Sequence, residues 1–316
     1  MTDGVQHRMG NAIGIVIPVF NRPRQIVRAL ESVLAQTLPP VQVIVVDDGS
    51  TDGTAAAAER WAAGLTLPFR LTVMRQVNQG AAAARNAGFS ALDGCALVLF
   101  LDSDDRLPPD LLARGGAALA ARADAVLAMA DILQVTETDQ AIRIFHVADA
   151  VVRHPLRHMF ALGSAFLSSS LLRVEQARRV GLFPADFPTG QDTVFLCRLA
   201  QVGPWLPLPG APVRQAHYLP VTGEEAGHLS QRFPDRFSRW ARMHETIFRE
   251  ARPSLGPADR FILRRSIGGR FFNAAQYAMR RQSRGEALGH MLRAAYHLGV
   301  AYGGSLGRFS GERAGQ

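Results

Sequence analysis

The sequence predicts an α/β protein with a mostly parallel sheet flanked by helices, followed by a C-terminal helical extension. Three observations carry this prediction. Short β-branched segments alternate with segments of helical periodicity over the first 110 residues. The predicted strands are apolar throughout, which is typical of sheets that helices cover on both faces. After Ser230 apolar residues recur only at helical spacing, with breaks at Pro253 and Gly285.

The elements of the first 110 residues follow a regular strand–helix order. Pro23 suits the first turn of a helix, and Thr51 or Asp52 can cap an alanine-rich one. Further helices are expected over 81–92 and from about Pro108. The predicted strands are 13–19, 41–46, 69–74 and 96–101.

The pattern beyond residue 125 is less regular. It predicts strands at 125–129, 142–147 and 165–169, and helices at 190–202, 235–250, 257–281 and 286–302. We therefore expect a flexible N-terminus over 1–12, an α/β domain over 13–232 with halves 13–110 and 111–232, and a basic helical extension over 233–316.

The positive charge is concentrated in that extension. Residues 1–232 hold 20 Arg against 21 acidic residues, whereas residues 233–316 hold 15 Arg against 6, and the chain has no Lys. The asymmetry predicts an anionic partner for the C-terminal helices, such as a membrane surface; an ordinary solvated helical face is the alternative. Aromatic residues are not interleaved with the arginines as in known nucleic-acid-binding modules, so no nucleic acid is expected.

The chain shows no apolar run of about 20 residues and no secretion signal, so we expect a cytoplasmic protein, with possible peripheral contact at the inner face of the membrane. Cys95 and Cys197 match no metal-binding spacing and are expected to be packing residues.

An acidic cluster follows the fourth predicted strand. Asp102, Asp104 and Asp105 place three carboxylates within four residues, where their repulsion is costly unless a cation or solvent relieves it. Mg²⁺ and Mn²⁺ take oxygen ligands, often one or two carboxylates together with substrate phosphates. The cluster therefore predicts a divalent metal that binds a nucleotide diphosphate; an acidic loop capping the next helix is the alternative.

A second cluster, Asp47 and Asp48, ends the neighbouring strand at the same edge of the sheet, where ligands of such sheets bind. A carboxylate there can accept the imide N–H of uracil or a sugar hydroxyl. Phe20 offers a ring on which a base can stack. A further polar group surrounds the start of the third helix and includes an arginine suited to phosphate: Asn78, Gly80, Arg85 and Asn86.

Four segments in this order resemble the family-2 glycosyltransferases, whose Rossmann-like fold is called GT-A. They are IGIVIPVFN at 13–21, VDDGSTD at 46–52, NQGAAAARNAG at 78–88 and FLDSDD at 100–105. A weaker match follows in VGLF at 180–183 and GQDTVFLCR at 190–198, which resemble the acceptor-side segment of the family.

The resemblance implies metal-dependent, inverting transfer of a sugar from a nucleotide-diphosphate donor, with UDP favoured, to a hydroxyl of a glycan, glycolipid or other acceptor. It implies that residues 13–110 hold the donor and residues 111–232 the acceptor, as in the synthesis of cell-surface polysaccharide or glycolipid. Asp192 would be the general base, although Gln191 stands where the family usually has Glu.

The resemblance also implies a donor site and a metal site. Asp48 would hold the nucleotide base in a slot lined by Pro18 and Phe20. Asp104 would bind Mn²⁺ or Mg²⁺, with Asp102 facing the ribose or the metal and His217 near the metal or the diphosphate. The expected nucleotide-binding residues are Pro18, Phe20, Asn21, Asp47, Asp48, Asn78, Gly80, Arg85, Asp102 and Ser103, and the expected metal ligands are Asp102, Asp104 and His217.

Other classes fit the sequence less well. A nucleotidyltransferase would need a Gly-rich phosphate loop where residues 18–21 read PVFN, and a dinucleotide dehydrogenase would need G-x-G-x-x-G after the first strand. A catalytically silent nucleotide-sugar-binding protein of the same fold stays open, because Gln191 departs from the family pattern.

Overall fold

The computed structural model describes residues 12–147, 152–162, 166–187, 189–216, 235–281 and 283–309. The chain forms two compact units, one from 1–155 with 165–227 and one from 156–164 with 228–316. The predicted boundary at residue 232 and almost all of the predicted flexible N-terminus lie outside the described residues, so this division into domains stays a prediction.

The first unit is built on a mixed sheet. Strands β1 and β2, β2 and β3, β1 and β4, and β5 and β8 pair parallel, whereas β7 pairs antiparallel with β4 and β5, and β6 pairs antiparallel with β5. The order is β3-β2-β1-β4-β7-β5-β6, with β8 beside β5. The strands are β1 Ile13–Val19, β2 Gln42–Asp47, β3 Arg70–Arg75, β4 Leu97–Phe100, β5 Leu127–Val135, β6 Ala141–Phe145, β7 Ser170–Arg173 and β8 Trp205–Ala216.

The helices of this unit cover a core in which the inner strands are buried along their whole length. The first of them begins at Pro23, where a proline has no helical N–H to lose, and buries Ile26, Ala29, Leu30 and Val33 at helical spacing. The helices are α1 Pro23–Leu34, α2 Thr54–Ala63, α3 Ala81–Ser90, α4 Leu111–Ala121, α6 Val174–Arg179 and α7 Gln191–Leu199. Helix α5, Pro155–Leu162, falls in the second unit except for Pro155.

Helix α3 lies unusually close to the sheet. A Cβ added at Gly88 would come within 2.5 Å of Val16 Cγ1 and 3.0 Å of Val46 Cγ2, so only glycine fits between the helix and strands β1 and β2. This close approach brings Arg85, one turn earlier on α3, near the carboxyl ends of the central strands.

The α/β class with flanking helices is confirmed, but the sheet is less parallel than predicted and several elements differ, among them helices α5 and α6, which were not predicted. The strand predicted at 165–169 is wrong: Leu167–Ser169 forms a 3₁₀ turn, because the Ser169 and Ser170 hydroxyls donate to the Phe166 carbonyl, and the strand starts at Ser170. Strand β8 was not predicted, since its three prolines and a glycine interrupt the strand pattern.

The second unit is helical. Its helices α8 Arg236–Ala251, α9 Pro257–Arg280 and α10 Arg284–Phe309 lie where three helices were predicted, and α10 extends further than expected. The Phe271 ring stacks with the rings of His290 and His297, at 5.8 and 5.9 Å between centroids. Within the described part of the chain, no helix is both long and apolar enough to cross a membrane.

Candidate functional site

Two loops at the carboxyl ends of β1 and β2 are fastened to each other. The Asn21 N–H donates to Ser50 Oγ at 2.8 Å, and the Thr51 N–H donates to Asn21 Oδ1 at 3.0 Å. The Arg22 N–H donates to Thr54 Oγ1 at 2.9 Å. Asn21 has a φ of 50°, in the left-handed region that asparagine tolerates better than most residues. The loop after β1 is therefore held in one shape beside the loop after β2.

Asp48 fastens a third loop, the one that follows β3. Its Oδ1 accepts hydrogen bonds from Gln76 Nε2 at 2.8 Å and from the Gln79 N–H at 2.9 Å. Its Oδ2 accepts from the N–H of Gly80 at 2.8 Å. The buried carboxylate thus organises residues 76–80, a role that the sequence did not indicate. Its predicted contact with the nucleotide base stays a prediction.

The other predicted nucleotide-binding residues lie around these loops. Asp47 is buried, and its Oδ1 accepts from the Ser50 N–H at 2.9 Å. Pro18 and Ser103 are also buried, whereas Phe20 and Asn78 are exposed. A cavity of about 190 Å³ opens beside Asp47, lined by Asp47, Gly49, Ser50, Gly53, Thr54, Ala55, Ala56 and Arg75.

Each carboxylate of the acidic cluster after β4 has its own partner. Arg85 Nη2 donates to Asp102 Oδ1 at 2.6 Å, and the Asp102 N–H donates to Ser168 Oγ at 3.1 Å. Asp104 forms an ion pair with Arg22. The third carboxyl, Asp105, is buried and accepts from the Ala216 N–H at 3.1 Å. Burial, together with the charges of the other two, raises the pKa of Asp105 well above its usual range.

Two of these carboxylates suit a divalent metal. The Asp102 and Asp104 side chains keep 36% and 16% of their surface accessible, so a ligand can reach their oxygens. The described residues contain no group of three potential metal ligands, and His217 lies outside them. Mg²⁺ or Mn²⁺ held by one or two carboxylates and by substrate phosphates needs no third protein ligand. The two carboxylates therefore fit the predicted metal.

Arg85 connects the acidic cluster with the predicted base. Burial on its own would lower the pKa of its guanidinium, but the charges of Asp102, Asp192 and Asp105 raise it. The guanidinium carbon also lies 5.4 Å from the centre of the Phe183 ring. Among the described residues, its Nε and Nη1 have no hydrogen-bond partner. Arg85 thus remains charged, pairs with Asp102 and interacts electrostatically with Asp192.

Asp192 lies in the first turn of α7. Gly190, with a φ of 82°, is the N-cap, so Asp192 is not the helix cap that a purely structural role would predict. Its Oδ1 accepts from the Thr193 N–H at 2.7 Å. Burial raises its pKa, Arg85 opposes this shift, and Asp102 adds to it. Gln191 is buried, and its Oε1 has no hydrogen-bond partner within the described ranges.

Asn86 joins α3 to the segment before α7. Its Nδ2 donates to the Phe183 carbonyl at 2.8 Å, and the Phe183 N–H donates to its Oδ1 at 3.1 Å. Phe183 packs edge-on against Phe100 of β4 at 4.8 Å and contacts Phe195 of α7 at 4.4 Å. The aromatic cluster therefore ties the acidic edge of the sheet to the helix that bears Asp192.

Sequence reasoning missed three contributors to this site. Arg22 follows the first motif by one residue, and its charge next to a conspicuous acidic cluster was the available signal. Gln76 lies just before the third motif. Ser168 was assigned to a predicted strand, and nothing in the sequence indicated that its hydroxyl meets the backbone of Asp102.

The comparisons with known proteins agree with the motifs. The sequence profile described as Glycosyl transferase family 2 matches residues 14–167. An uncharacterized glycosyltransferase, alr2836 of Nostoc sp., is 32% identical over 139 residues, which are 44% of this chain and 37% of that protein. The succinoglycan biosynthesis protein ExoO of Rhizobium meliloti is 38% identical over 140 residues, 43% of this chain and 38% of that protein. This chain thus spans well under half the length of these relatives.

Solved structures resemble most of the chain. Residues 1–349 of TarS from S. aureus match with a TM-score of 0.63 and 20% identity, over 90% of this chain and 80% of that one. The complex of the same protein with UDP-GlcNAc matches with a TM-score of 0.62 and 18% identity, over 91% and 92%. The mannosyltransferase PcManGT from Pyrobaculum calidifontis, in complex with GDP-Man and Mn²⁺, matches with a TM-score of 0.51 and 20% identity. The match covers 90% of this chain and 86% of that one. These likenesses confirm the predicted GT-A fold.

Proposed function

We propose, from the premise that this chain belongs to glycosyl transferase family 2 through residues 14–167, that it transfers a sugar from a nucleotide-diphosphate donor to a hydroxyl acceptor. One observation carries the proposal: Arg85 pairs at 2.6 Å with Asp102, on the donor side, and interacts electrostatically with Asp192, on the acceptor side. A donor phosphate and an acceptor hydroxyl bound at these two carboxylates would meet at the edge of the sheet.

The donor that we favour is a UDP-sugar. TarS, which has the same fold, binds UDP-GlcNAc and UDP, whereas PcManGT binds GDP-Man. Phe20 is exposed beside the loops after β1 and β2 and can stack on the base, while Asp47 and Asp48 can accept its imide N–H. The relative ExoO, a succinoglycan biosynthesis protein, favours an acceptor in polysaccharide synthesis, and EpsH of Bacillus subtilis is a putative glycosyltransferase.

Asp102 and Asp104 would hold Mn²⁺ or Mg²⁺, which when bound neutralises the charge that develops on the leaving diphosphate. Their partners Arg85 and Arg22 provide positive charge at the same place. A guanidinium can pair with a phosphate as readily as with a carboxylate, so both arginines suit a diphosphate.

Asp192 would accept the proton of the acceptor hydroxyl as this oxygen attacks the anomeric carbon and inverts it. Burial makes Asp192 a stronger base than an exposed carboxylate, because it raises the pKa towards the working pH. Arg85 opposes this shift and so favours the ionised carboxylate. Base strength and ionisation are thus balanced by one neighbouring cation.

A catalytically silent protein that binds nucleotide sugars is the second candidate. Gln191 favours it, because a neutral amide occupies the position where the family usually has a carboxylate. The buried Oε1 of Gln191 has no hydrogen-bond partner in the described residues.

The transferase and the silent binding protein differ in the expected effect of Asp192→Asn on sugar transfer. We expect calorimetry to show UDP binding that requires Mn²⁺ or Mg²⁺ and is lost in Asp104→Ala. Transfer or hydrolysis of UDP-sugars should fall about 10²- to 10⁴-fold in Asp192→Asn, with UDP affinity unchanged, because only the base is removed. Asp124→Asn, at an exposed carboxylate of the same unit, is the matched control.

Binding of UDP without any turnover that depends on Asp192 would favour the silent protein. If UDP, GDP, dTDP and CDP all fail to bind with either metal, the sugar-transfer proposal is refuted.

A further inference from the structure

Helix α10 turns its apolar residues outward. Its exposed residues include Leu288, Met291, Leu292, Ala295 and Tyr296, which we call the α10 stripe. Leu288 and Leu292 keep 62% and 64% of their surface accessible. The buried side of the same helix consists of Ala287, His290, Ala294 and His297. A helix that is packed only for stability would bury leucines and expose histidines.

The inward side is fixed by specific contacts. His290 Nε2 lies 2.7 Å from Ser238 Oγ, and His297 Nε2 lies 3.2 Å from Glu245 Oε1. Both rings also stack on Phe271. Turning α10 to bury the stripe would break these bonds and leave buried polar groups unsatisfied. The outward orientation of the leucines is therefore a stable property of the unit.

Helices α9 and α10 pack too closely for a rotation between them. A Cβ at Gly268 of α9 would come within 2.7 Å of Leu298 Cγ and 3.4 Å of the Ala294 carbonyl oxygen. Helix α9 presents further exposed apolar side chains of its own, Ile262, Phe272 and Met279. Exposed apolar side chains are therefore not confined to one helix of the unit.

Arginines accompany this surface. Arg265, Arg280, Arg284 and Arg293 are exposed on α9 and α10. Residues 233–316 together contain 15 Arg and 6 acidic residues. A solvated helical face would need the arginines but not the leucines, and an ordinary protein interface would need the leucines but not so strong a positive charge. A surface with both properties complements an interface of apolar chains and anionic headgroups.

We propose that α10 lies flat on a lipid bilayer that contains anionic lipids, with its stripe among the acyl chains and the arginines on the lipid phosphates. A second copy of this chain would bring two strongly positive units together, and the repulsion would oppose the contact that the leucines favour. Anionic lipid removes this conflict, since each arginine near the surface is attracted to it. The inference concerns the helical unit and is independent of sugar transfer.

The test is flotation of the full chain with vesicles of phosphatidylcholine alone or mixed with phosphatidylglycerol. We expect binding to the mixed vesicles, little binding to phosphatidylcholine alone, and release as salt is raised. Leu292→Glu should lower the partition coefficient about tenfold or more, because a leucine leaves the lipid and a charge must enter it. Leu65→Glu, at an exposed leucine of the first unit, is the matched control and should change nothing.

A second variant separates charge from apolar contact. Arg280→Gln with Arg284→Gln should weaken binding to mixed vesicles only, and circular dichroism should show that all variants keep their helices. Equal flotation of Leu292→Glu and the unchanged chain would overturn the proposal. The proposal would also be overturned if the unchanged chain bound neither kind of vesicle and instead formed a dimer. Light scattering would detect that dimer, and Leu292→Glu would dissociate it.

Discussion

Replacing Arg85 by methionine would remove the cation that pairs with Asp102 and interacts electrostatically with Asp192, while keeping most of the side-chain volume. Removing one partner of a buried ion pair costs about 3–5 kcal/mol, because the other charge is left uncompensated. Asp102 is 36% accessible, so solvent can replace part of its lost partner. Asp192 is also only partly buried, so solvent can compensate part of its loss as well. We therefore expect Arg85→Met to lower the free energy of unfolding by about 3 kcal/mol at neutral pH, the lower end of that range.

The loss of unfolding free energy in Arg85→Met should depend on pH in a defined direction. Burial raises the pKa of Asp192 and Arg85 opposes that shift, so without Arg85 the pKa rises further. A carboxyl with a raised folded-state pKa binds a proton in the folded state that the unfolded state releases. Its contribution to stability is complete below the unfolded-state pKa and is lost as pH rises through the folded-state pKa. The deficit of Arg85→Met should thus be smaller at pH 5 than at pH 7.5.

Urea unfolding at both pH values measures this deficit, with Arg178→Met as the matched control. Arg178 also lies over a phenylalanine ring, that of Phe89, but it is exposed, so its loss should cost far less. Adding Asp192→Asn to Arg85→Met should recover part of the lost stability, because the uncompensated charge is gone. A deficit below about 1 kcal/mol, or no recovery in the double variant, would refute this account of Arg85.

Two further predictions concern packing and titration. Gly88→Ala should destabilise the first unit by about 1–3 kcal/mol, because its Cβ would meet Val16 at 2.5 Å, whereas Gly269→Ala, which meets no atom within 4 Å, should be neutral or stabilising in the same thermal melts. Burial lowers the pKa of His244 to about 3, so the unfolded state alone takes up its proton as pH falls below 6.5. The second unit should lose about 2 kcal/mol by pH 5, and His244→Phe should reduce that loss; an unchanged pH profile would contradict the assignment.

The parallel strands β1 to β4 could be predicted because they are continuous apolar runs. The candidate site could be located because the acidic motifs lie at the carboxyl ends of β2 and β4. Strand β8 could not be predicted, since it contains Pro207, Pro209 and Pro212 and pairs with a strand about 80 residues earlier. The roles of Arg22 and Ser168 depend on contacts between residues distant in sequence, to which no local pattern is sensitive. The same limit explains α10: its helical periodicity was predicted, but not which of its residues are exposed.

The pairing of Asp102 and Asp104 with arginines bears on how a donor would enter the site. A carboxylate that binds a metal must leave its arginine. That step would be costly if the arginine then had no anion, because a partly buried ion pair would lose one member. A diphosphate removes that cost, because it offers Arg22 and Arg85 new oxygens while the carboxylates turn to the metal. Metal and nucleotide should therefore bind cooperatively, each weakly without the other. Mn²⁺ binding alone that is as tight as binding in the presence of UDP would contradict this exchange of partners.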